Sequence, residues 1–181
     1  MIRIISGVWK GKRILAPKNF IVRPTTDFAK EALFSLLSVR YDFQNIKVLD
    51  LFSGIGSISY EFASRGCNSI LSVDNNGHHI KFISETAKIL GFDQIYTIKY
   101  DAQKFIENQS ENSFDIIFAD PPYEFSTENY QKLIDTIFQK NLLTANGLFI
   151  LEHQSKTKPY ITDIEVEIRK YGNVGFSLFG K

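Results

Sequence analysis

From residue 46 to residue 152 the sequence alternates short apolar runs with segments of helical periodicity, and this alternation limits the possible folds most strongly. Strands separated by helices pair in parallel through right-handed crossovers, with helices covering both faces of the sheet. The sequence therefore predicts an α/β protein with a mostly parallel, doubly wound sheet. The predicted strands are residues 47–52, 69–74, 94–99, 114–119 and 147–152.

The last part of the chain follows a different pattern. Apolar and charged residues alternate over 164–169, and a second alternating run covers 174–178 after the dipeptide Gly172-Asn173. Two period-two runs around a short Gly-Asn turn predict a β-hairpin, which brings the sheet to seven strands and gives it an antiparallel strand. A nicotinamide-binding Rossmann domain is not expected to end in this way.

The first 40 residues predict an extension to this sheet. Residues 2–7 and 13–17 predict a β-hairpin, and Thr25-Thr26-Asp27 predicts the N-cap of a helix that runs to about Ser38. The predicted apolar stripe of this helix is Ala29, Ala32, Leu33, Leu36 and Leu37. We therefore expect two functional regions, a basic hairpin and helix extension at 1–40 and a catalytic domain at 41–181.

The charge of the extension suggests what it binds. Eight basic and two acidic residues lie in the first 40 positions, whereas the whole chain has a net charge of only +1. Such a segment favours contact with a polyanion, although a solvated basic tail gives the same composition. We expect Trp9 at the hairpin tip to pack against the protein more readily than to contact a ligand. The predicted phosphate contacts are Lys10, Lys12, Arg13 and Arg23.

Composition excludes several classes of protein. With 181 residues, 44% of them hydrophobic, the chain can form one substantial core. Its single cysteine, Cys67, cannot form an internal disulfide, and its three histidines do not have zinc spacing, so we expect no metal site. We see neither a signal peptide nor an apolar run of membrane-spanning length, and we expect a cytoplasmic protein without membrane contact.

The tetrapeptide Asp120-Pro121-Pro122-Tyr123 follows the predicted strand 114–119, at the sheet edge where α/β proteins bind ligands. The Asp120 carboxylate and the Pro121 carbonyl are two acceptors that can hold both hydrogens of an exocyclic amine, and Tyr123 offers a face on which a base can stack. An amine held in this way can direct its lone pair at an electrophile, as N-methylation requires. The alternative is that Asp-Pro-Pro only turns the chain.

Four aspartates end consecutive predicted strands: Asp50, Asp74, Asp101 and Asp120. The loop after Asp50 has Gly54 and Gly56, but Ser59 replaces the third glycine of the dinucleotide motif. An acidic rim disfavours a pyrophosphate and favours S-adenosylmethionine, which has a sulfonium and an ammonium group. Asp74 is predicted to accept from the ribose hydroxyls, and Asp101 and the Ala102 N–H to contact adenine. The predicted cofactor-binding residues are Asp50, Ser53, Gly54, Gly56, Asp74, Asn75, Asp101 and Ala102.

These motifs resemble those of the class I S-adenosylmethionine-dependent amino-methyltransferases. Arg3-Ile-Ile-Ser-Gly-x-Trp-Lys-Gly, Arg23-Pro-Thr-Thr-Asp, Glu31-x-Leu-Phe and Arg169-x-Tyr-Gly further resemble the bacterial 16S rRNA guanine-N2 methyltransferases of the RsmD family, almost from end to end. The resemblance implies that Asp50 and Gly54 border the methionine part of the cofactor, and that Asp120, Pro121 and Tyr123 receive a guanine. It also implies small-subunit ribosomal RNA, or the assembled small ribosomal subunit particle, as the substrate.

Three other functions remain open at this stage. A DNA or RNA methyltransferase acting on adenine N6 or cytosine N4 can share the Asp-Pro-Pro-Tyr chemistry, although 181 residues leave little room for a separate recognition region. The others are a non-catalytic RNA-binding assembly factor and an NAD-dependent oxidoreductase. We interpret Glu152 and His153 as structural residues or as part of the substrate rim, and we expect a monomer.

Overall fold

A computed structural model describes residues 1–17, 20 and 25–180 of the chain. Nine strands are present in the described part, two of them in the N-terminal hairpin and seven in the main sheet. The strands are β1 (Ile2–Arg3), β2 (Arg13–Ile14), β3 (Lys47–Leu51), β4 (Ser69–Asp74), β5 (Ile95–Lys99), β6 (Phe114–Ala119), β7 (Leu143–Gln154), β8 (Val166–Tyr171) and β9 (Val174–Gly180). The helices are α1 (Asp27–Arg40), α2 (Ser57–Ser64), α3 (Gly77–Leu90), α4 (Ala102–Glu107) and α5 (Thr127–Gln139), with a 3-10 turn at Phe43–Asn45.

The main sheet has the order β5-β4-β3-β6-β7-β9-β8. Strands β3 to β7 are parallel, whereas β9 runs antiparallel to both β7 and β8. The order changes direction at β3, which lies between β4 and β6, so this strand is the switch point where α/β sheets bind ligands. The predicted seven-stranded, doubly wound sheet with a terminal hairpin is confirmed.

Helices cover both faces of the sheet, as the alternation predicts. One apolar cluster joins α1, α2 and α3 to the sheet through residues such as Leu33, Phe62 and Ile83. The second joins α4 and α5 to the opposite face through residues such as Ile106 and Leu133. Ile2, Ile4 and Ile14 of the N-terminal hairpin belong to the first cluster, so this extension shares the core of the sheet.

Helix α1 begins as predicted and has a wider buried face than predicted. The Thr26 hydroxyl accepts a hydrogen bond from the Ala29 N–H at 3.2 Å, which caps the first turn. Phe34, which the predicted apolar stripe omitted, is fully buried, whereas Leu36 of that stripe is only half-buried. Lys30 is also buried, and its Nζ lies 3.6 Å from the Glu61 carboxylate.

The N-terminal hairpin is held against α2 by one buried carboxylate. Glu61 is fully buried and accepts hydrogen bonds from the Ile5 N–H at 2.8 Å and the Ser6 N–H at 3.0 Å. Arg65 forms a salt bridge with the same side chain at 2.9 Å. A buried charge needs such partners, because an unpaired carboxylate would cost several kcal/mol. The hairpin therefore has a defined position on the sheet domain.

Strand β7 is longer than predicted. It begins at Leu143 instead of residue 147, because Phe114 pairs with Leu143 before an irregularity in register restores the pairing at Ile116 and Leu148. The predicted tight turn of the terminal hairpin is present, with Gly172 at φ +62°. No helix in the described ranges has the length and apolar character needed to cross a bilayer.

Candidate active site

The predicted site residues that follow β3, β4, β5 and β6 lie at one edge of the sheet, because these four strands are parallel and adjacent. Leu51 at the end of β3 pairs with Val73 on one side and Ala119 on the other. The tetrapeptide that begins at Asp120 therefore starts beside the glycine loop. The predicted transfer of a methyl group from a cofactor at the glycine loop to a base at the tetrapeptide requires this arrangement.

The loop after β3 has an unusual backbone. Phe52, Gly54 and Gly56 all have positive φ, at 56°, 52° and 83°. A phenylalanine in the left-handed region is strained by about 1–3 kcal/mol, and such strain concentrates at functional sites. At Gly56 an added Cβ would approach the Tyr60 ring to 2.8 Å, so glycine is required there for packing as well as for its φ.

Asp74 connects β4 to this loop. Its Oδ2 accepts a hydrogen bond from the Gly54 N–H at 2.8 Å, and its Oδ1 accepts one from the Asn76 N–H at 2.8 Å. The His79 Nδ1 lies 3.3 Å from Oδ1. A carboxylate has about four lone-pair directions, so Asp74 can still accept from a ligand. Asn75, also predicted to bind the cofactor, is exposed beside it.

Asp50 lies below the loop and is almost completely buried. It accepts a hydrogen bond from the Ser59 hydroxyl at 2.5 Å, and that hydroxyl also contacts Ser72 at 2.7 Å. Burial raises the pKa of Asp50 to about 7, the Ser59 hydrogen bond opposes this rise, and the negative charges of Asp120 and Asp74 add to it. Asp50 thus fixes α2 under the loop, and its predicted contact with the methionine part of the cofactor stays a prediction.

Asp101 and Ala102 begin α4, two residues after β5. The exposed Asp101 caps this helix by accepting from the Lys104 N–H at 2.9 Å, and Ala102 is buried. Capping is the structural role that a strand-end aspartate commonly has. It leaves the second oxygen of the carboxylate available to an adenine amine, so the predicted contact is compatible with the geometry.

The residues around the loop fit the predicted cofactor. The Ser53 hydroxyl is buried and has no hydrogen-bond partner among the described residues, so the loop contains a polar group that needs one. Asp74 and Asp120 are close enough to Asp50 for their negative charges to raise its pKa. A ligand with a sulfonium and an ammonium group would relieve that repulsion, whereas a pyrophosphate would add to it.

The tetrapeptide after β6 forms one wall of a cleft. Pro121 is buried, and the Phe125 N–H donates to the Pro122 carbonyl at 2.9 Å, which closes a turn with Tyr123 at its tip. The Tyr123 ring is 63% exposed and so presents a face to an incoming base. The cleft has a volume of about 400 Å³ and is lined by Asp120, Pro121, Tyr123, Tyr130, Glu152 and Lys158, among others.

Phe125 links the two halves of the site. Its ring contacts Phe52 of the glycine loop edge to face, with the ring centroids 5.4 Å apart, and it contacts Tyr130 of α5 at 5.1 Å. Such contacts contribute about 0.5–1.5 kcal/mol beyond burial. The loop that presents Tyr123 is therefore packed against the loop expected to hold the cofactor.

Two carboxyl groups lie side by side in the cleft. Ala119 pairs with Leu151 in parallel register, so Asp120 and Glu152 are the next residues along the two neighbouring chains. The spacing of paired strands places their Cα atoms about 5 Å apart. Burial raises the pKa of Asp120 well above its usual range, and the neighbouring Glu152 raises it further. Burial also raises the pKa of Glu152 to about 7, and a hydrogen bond from the Thr25 hydroxyl opposes that shift.

Three of the basic residues predicted to contact phosphates, Lys10, Lys12 and Arg13, do not line this cleft. The Trp9 indole N–H donates to the Leu90 carbonyl at 2.9 Å, and Lys12 lies over the Trp9 ring. Leu90 ends the 14-residue helix α3, whose first turn faces the site, so the hairpin tip with Lys10 and Lys12 lies about 20 Å away along that helix. Arg13 is exposed on β2. Arg23 lies outside the described residues.

Several residues of the cleft were missed or undervalued from the sequence. A neighbouring part of it, about 370 Å³, is lined by Thr26 and Lys156 together with Tyr123 and Glu152. Lys156 lies in the irregular loop after β7, where no periodic pattern in the sequence marks it.

His153 has a structural role: it accepts from the Ser177 hydroxyl through Nε2 at 2.8 Å and donates from Nδ1 to the Gln154 carbonyl at 2.8 Å. No group of three described His, Cys, Asp or Glu residues could hold a metal ion.

Comparison with known proteins gives consistent matches over nearly the whole chain. The family model "Conserved hypothetical protein 95" matches residues 2–180. The "Putative rRNA methyltransferase YlbH" of Bacillus subtilis is 30% identical over 187 residues, which cover 99% of this chain and 98% of the relative. The "Ribosomal RNA small subunit methyltransferase D" of Haemophilus influenzae is 32% identical over 165 residues, covering 89% and 82%. A solved structure, "Putative methyltransferase yhhF from Escherichia coli", superposes with a TM-score of 0.83 at 21% identity, covering 99% and 97%.

Proposed function

Because this chain belongs to the family of conserved hypothetical protein 95, the RsmD-like methyltransferases, and has their class I fold, we propose that it methylates the exocyclic N2 of a guanine in small-subunit ribosomal RNA. S-adenosylmethionine is the cofactor expected of this family. An RNA substrate of this kind would place the protein in the cytoplasm and make the small ribosomal subunit or its RNA the partner.

The observation that carries the proposal is the position of Asp120, Pro121 and Tyr123 around one cleft at the edge of the sheet that also bears Gly54 and Asp74. When bound, S-adenosylmethionine supplies a methyl carbon on a sulfonium, and that sulfur becomes a neutral thioether. No side chain has to act as a nucleophile or to protonate the leaving group. The protein therefore acts by alignment, which can contribute roughly 7–11 kcal/mol in favourable cases.

Asp120 and Pro121 hold the reacting nitrogen. With both N–H groups donated to the Asp120 carboxylate and the Pro121 carbonyl, N2 can become pyramidal, so its lone pair is no longer delocalised into the guanine ring and can be directed at an electrophile. That lone pair would form the new N–C bond to the methyl group that S-adenosylmethionine, held by the Gly54 loop and Asp74, would supply, with the neutral thioether as the leaving group. Asp120 is the acceptor already bonded to N2, so it is positioned to receive the proton that N2 loses.

Tyr123 and the basic residues bind the rest of the substrate. A guanine must leave its stack to reach the cleft, at a cost of a few kcal/mol, and stacking on an exposed aromatic ring recovers about 1–3 kcal/mol. Lys156 and Lys158 at the cleft, and Lys10, Lys12, Arg13 and Arg23 in the extension, are the proposed phosphate contacts. The separation of Lys10 and Lys12 from the cleft implies that an extended or folded RNA surface, not one nucleotide, is bound.

Mass spectrometry of nucleosides tests the proposal directly. Small-subunit RNA from cells that lack this protein should contain less N2-methylguanosine than RNA from cells that have it, and the purified protein with S-adenosylmethionine should restore the modification. A thermal shift on adding S-adenosylmethionine separates an enzyme from a non-catalytic assembly factor. New N6-methyladenosine or N4-methylcytidine instead would favour one of the other amino-methyltransferases.

A further inference from the structure

Glu152 lies beside Asp120, so two carboxyl groups share this part of the cleft. Among residues 1–17, 20 and 25–180, no basic side chain is within salt-bridge distance of Glu152. The side chain is only 7% exposed, and a buried carboxyl group without a cation is destabilising. A ligand that donates a hydrogen bond to this carboxylate would offset that cost.

One oxygen of Glu152 is held in place and the other is available. The Thr25 hydroxyl, just before α1, donates to Oε2 at 2.6 Å. No described residue donates a hydrogen bond to Oε1, and Glu152 lines both parts of the cleft. Within the described part of the chain, this oxygen beside Asp120 is therefore an acceptor that can take a donor from a ligand.

The target base supplies that donor only if it is guanine. Guanine presents an N1–H directly next to its N2 amine, so its edge carries adjacent hydrogen-bond donors. Adenine and cytosine present a lone pair at the ring nitrogen next to their amine, and that lone pair would face a carboxylate oxygen. A buried donor or acceptor left without a partner costs about 1–3 kcal/mol, and a site built to bond one group rejects an analogue that lacks it.

We propose that Glu152 determines the base specificity of this enzyme: its ionised carboxylate, oriented by Thr25, accepts the N1–H of the target guanine while Asp120 and Pro121 hold N2. This inference rests on the proposed function. It makes Glu152 a residue that contacts the substrate and Thr25 a residue that positions it.

The ionisation of Glu152 makes the specificity dependent on pH. Its pKa is raised to about 7 by burial, so the acceptor form is lost as the pH falls through neutrality. Thr25 opposes this rise, because its hydrogen bond favours the ionised form. Among the described residues, the titratable groups near Glu152 are Asp120 after β6, Tyr123 before α5, Tyr130 on α5, His153 on β7, and Lys156 and Lys158 after β7.

The test compares wild type, Glu152→Gln and the control Glu124→Gln, which makes the same change in an exposed side chain one residue after Tyr123. The substrate is small ribosomal subunits from cells lacking this protein, and the reaction is followed with labelled S-adenosylmethionine. Glu152→Gln should lower kcat/KM by about 100-fold or more, since the amide that replaces the carboxylate must either repel N1–H or bond it more weakly. Its affinity for S-adenosylmethionine should stay within about twofold, because a folded variant keeps the cofactor loop.

Two nucleotides that differ around N1 sharpen the test. Guanosine 5′-monophosphate has the N1–H, whereas 2-aminopurine riboside 5′-monophosphate has the same 2-amino group and a lone pair at N1. Guanosine 5′-monophosphate should inhibit the wild type more strongly than the 2-aminopurine nucleotide does. Glu152→Gln should lose or reverse that preference, because an amide can donate to the N1 lone pair.

Thr25→Val should keep the preference for guanosine 5′-monophosphate but move the acid limb of the pH profile of kcat/KM to higher pH.

The outcomes distinguish the two proposals. If wild type methylates guanine and Glu152→Gln matches Glu124→Gln in kcat/KM and in nucleotide preference, the role of Glu152 is wrong while the proposed function stands. If wild type binds S-adenosylmethionine but forms no N2-methylguanosine, the proposed function fails, and the role of Glu152 fails with it.

Discussion

In the proposed mechanism, Asp120 is the residue on which turnover depends most directly. It is half-buried at the end of β6, next to the glycine loop on one side and Glu152 on the other. We propose that its carboxylate accepts from the reacting amine in a partly desolvated cleft, where one well-placed hydrogen-bonding group contributes about 100- to 1,000-fold to turnover. Its loss should therefore affect chemistry far more than cofactor binding.

Asp120→Ala should reduce kcat at least about 100-fold and leave the affinity for S-adenosylmethionine nearly unchanged. Radiolabel transfer to small-subunit RNA measures the first, and calorimetric titration the second. Glu111→Ala is the matched control, because Glu111 is exposed in the turn at the other end of β6. Lost cofactor binding with turnover intact would contradict the role given to Asp120.

Asp74 should show the opposite pattern. Asp74→Asn should weaken binding of S-adenosylmethionine by about 10- to 100-fold, because the amide replaces one of two oxygens that accept from the Gly54 and Asn76 N–H groups and are expected to accept from the ribose. At saturating cofactor, kcat should be largely recovered. Unchanged cofactor affinity, measured by the same titration, would exclude Asp74 from the binding site.

At the scale of elements, Ser64 at the end of α2 adds to the contacts of Glu61 that hold the N-terminal hairpin on this helix. The Val8 N–H donates to the Ser64 carbonyl at 2.8 Å, and the Ser64 hydroxyl donates to the Ser6 carbonyl at 2.6 Å. Gly7 passes so close to this helix end that an added Cβ would lie 1.7 Å from the Ser64 carbonyl oxygen. The approach of the two backbones thus depends on a missing side chain.

Gly7→Ala should lower the free energy of unfolding by about 3 kcal/mol or more, since it combines a clash with a positive φ. Gly11→Ala is an internal control: Gly11 has the same φ of +83°, but nothing lies within 4 Å of an added Cβ. Only the backbone cost of about 1–2 kcal/mol should remain there. Urea denaturation of both variants measures the difference, and equal losses would mean that the hairpin does not dock as described.

At the scale of the whole molecule, the sheet edge concentrates carboxyl groups. The pKa values of Asp50, Asp120 and Glu152 are all raised, chiefly by burial. A carboxyl group with a higher pKa in the folded state binds more protons when folded than when unfolded. Its contribution to stability is therefore present at low pH and is lost as pH rises through the folded pKa.

Glu152→Gln should accordingly become stabilising, relative to wild type, as the pH rises. Without cofactor, the two proteins should have similar free energies of unfolding near about pH 5, and the variant should gain on the order of 2–3 kcal/mol by about pH 8.5. Denaturant titrations at a series of pH values test this, with Glu124→Gln expected to show no such trend. A constant difference between wild type and Glu152→Gln would mean that Glu152 titrates normally.

Local patterns allowed much of the fold to be predicted. The apolar run 114–119 forms β6, Thr26 caps the start of α1, and Gly91 ends α3. Each of these features depends only on residues that are adjacent in sequence. The start of β7 was misplaced because it depends on pairing with Phe114 across the sheet. Phe34 was missed as a core residue because its burial is set by Phe62 and Phe43, which are distant in sequence.

The sequence by itself determined the alternating architecture, the acidic strand ends and the Asp-Pro-Pro-Tyr turn, since each is encoded in a few adjacent residues. Only the tertiary structure decided that Thr25 donates to Glu152, 127 residues later, and that Glu152 lies beside Asp120. It also decided that the basic hairpin tip docks at the far ends of α2 and α3. Strand order and helix packing set the distances between these groups, and no local pattern along the chain encodes contacts between residues that are far apart in sequence.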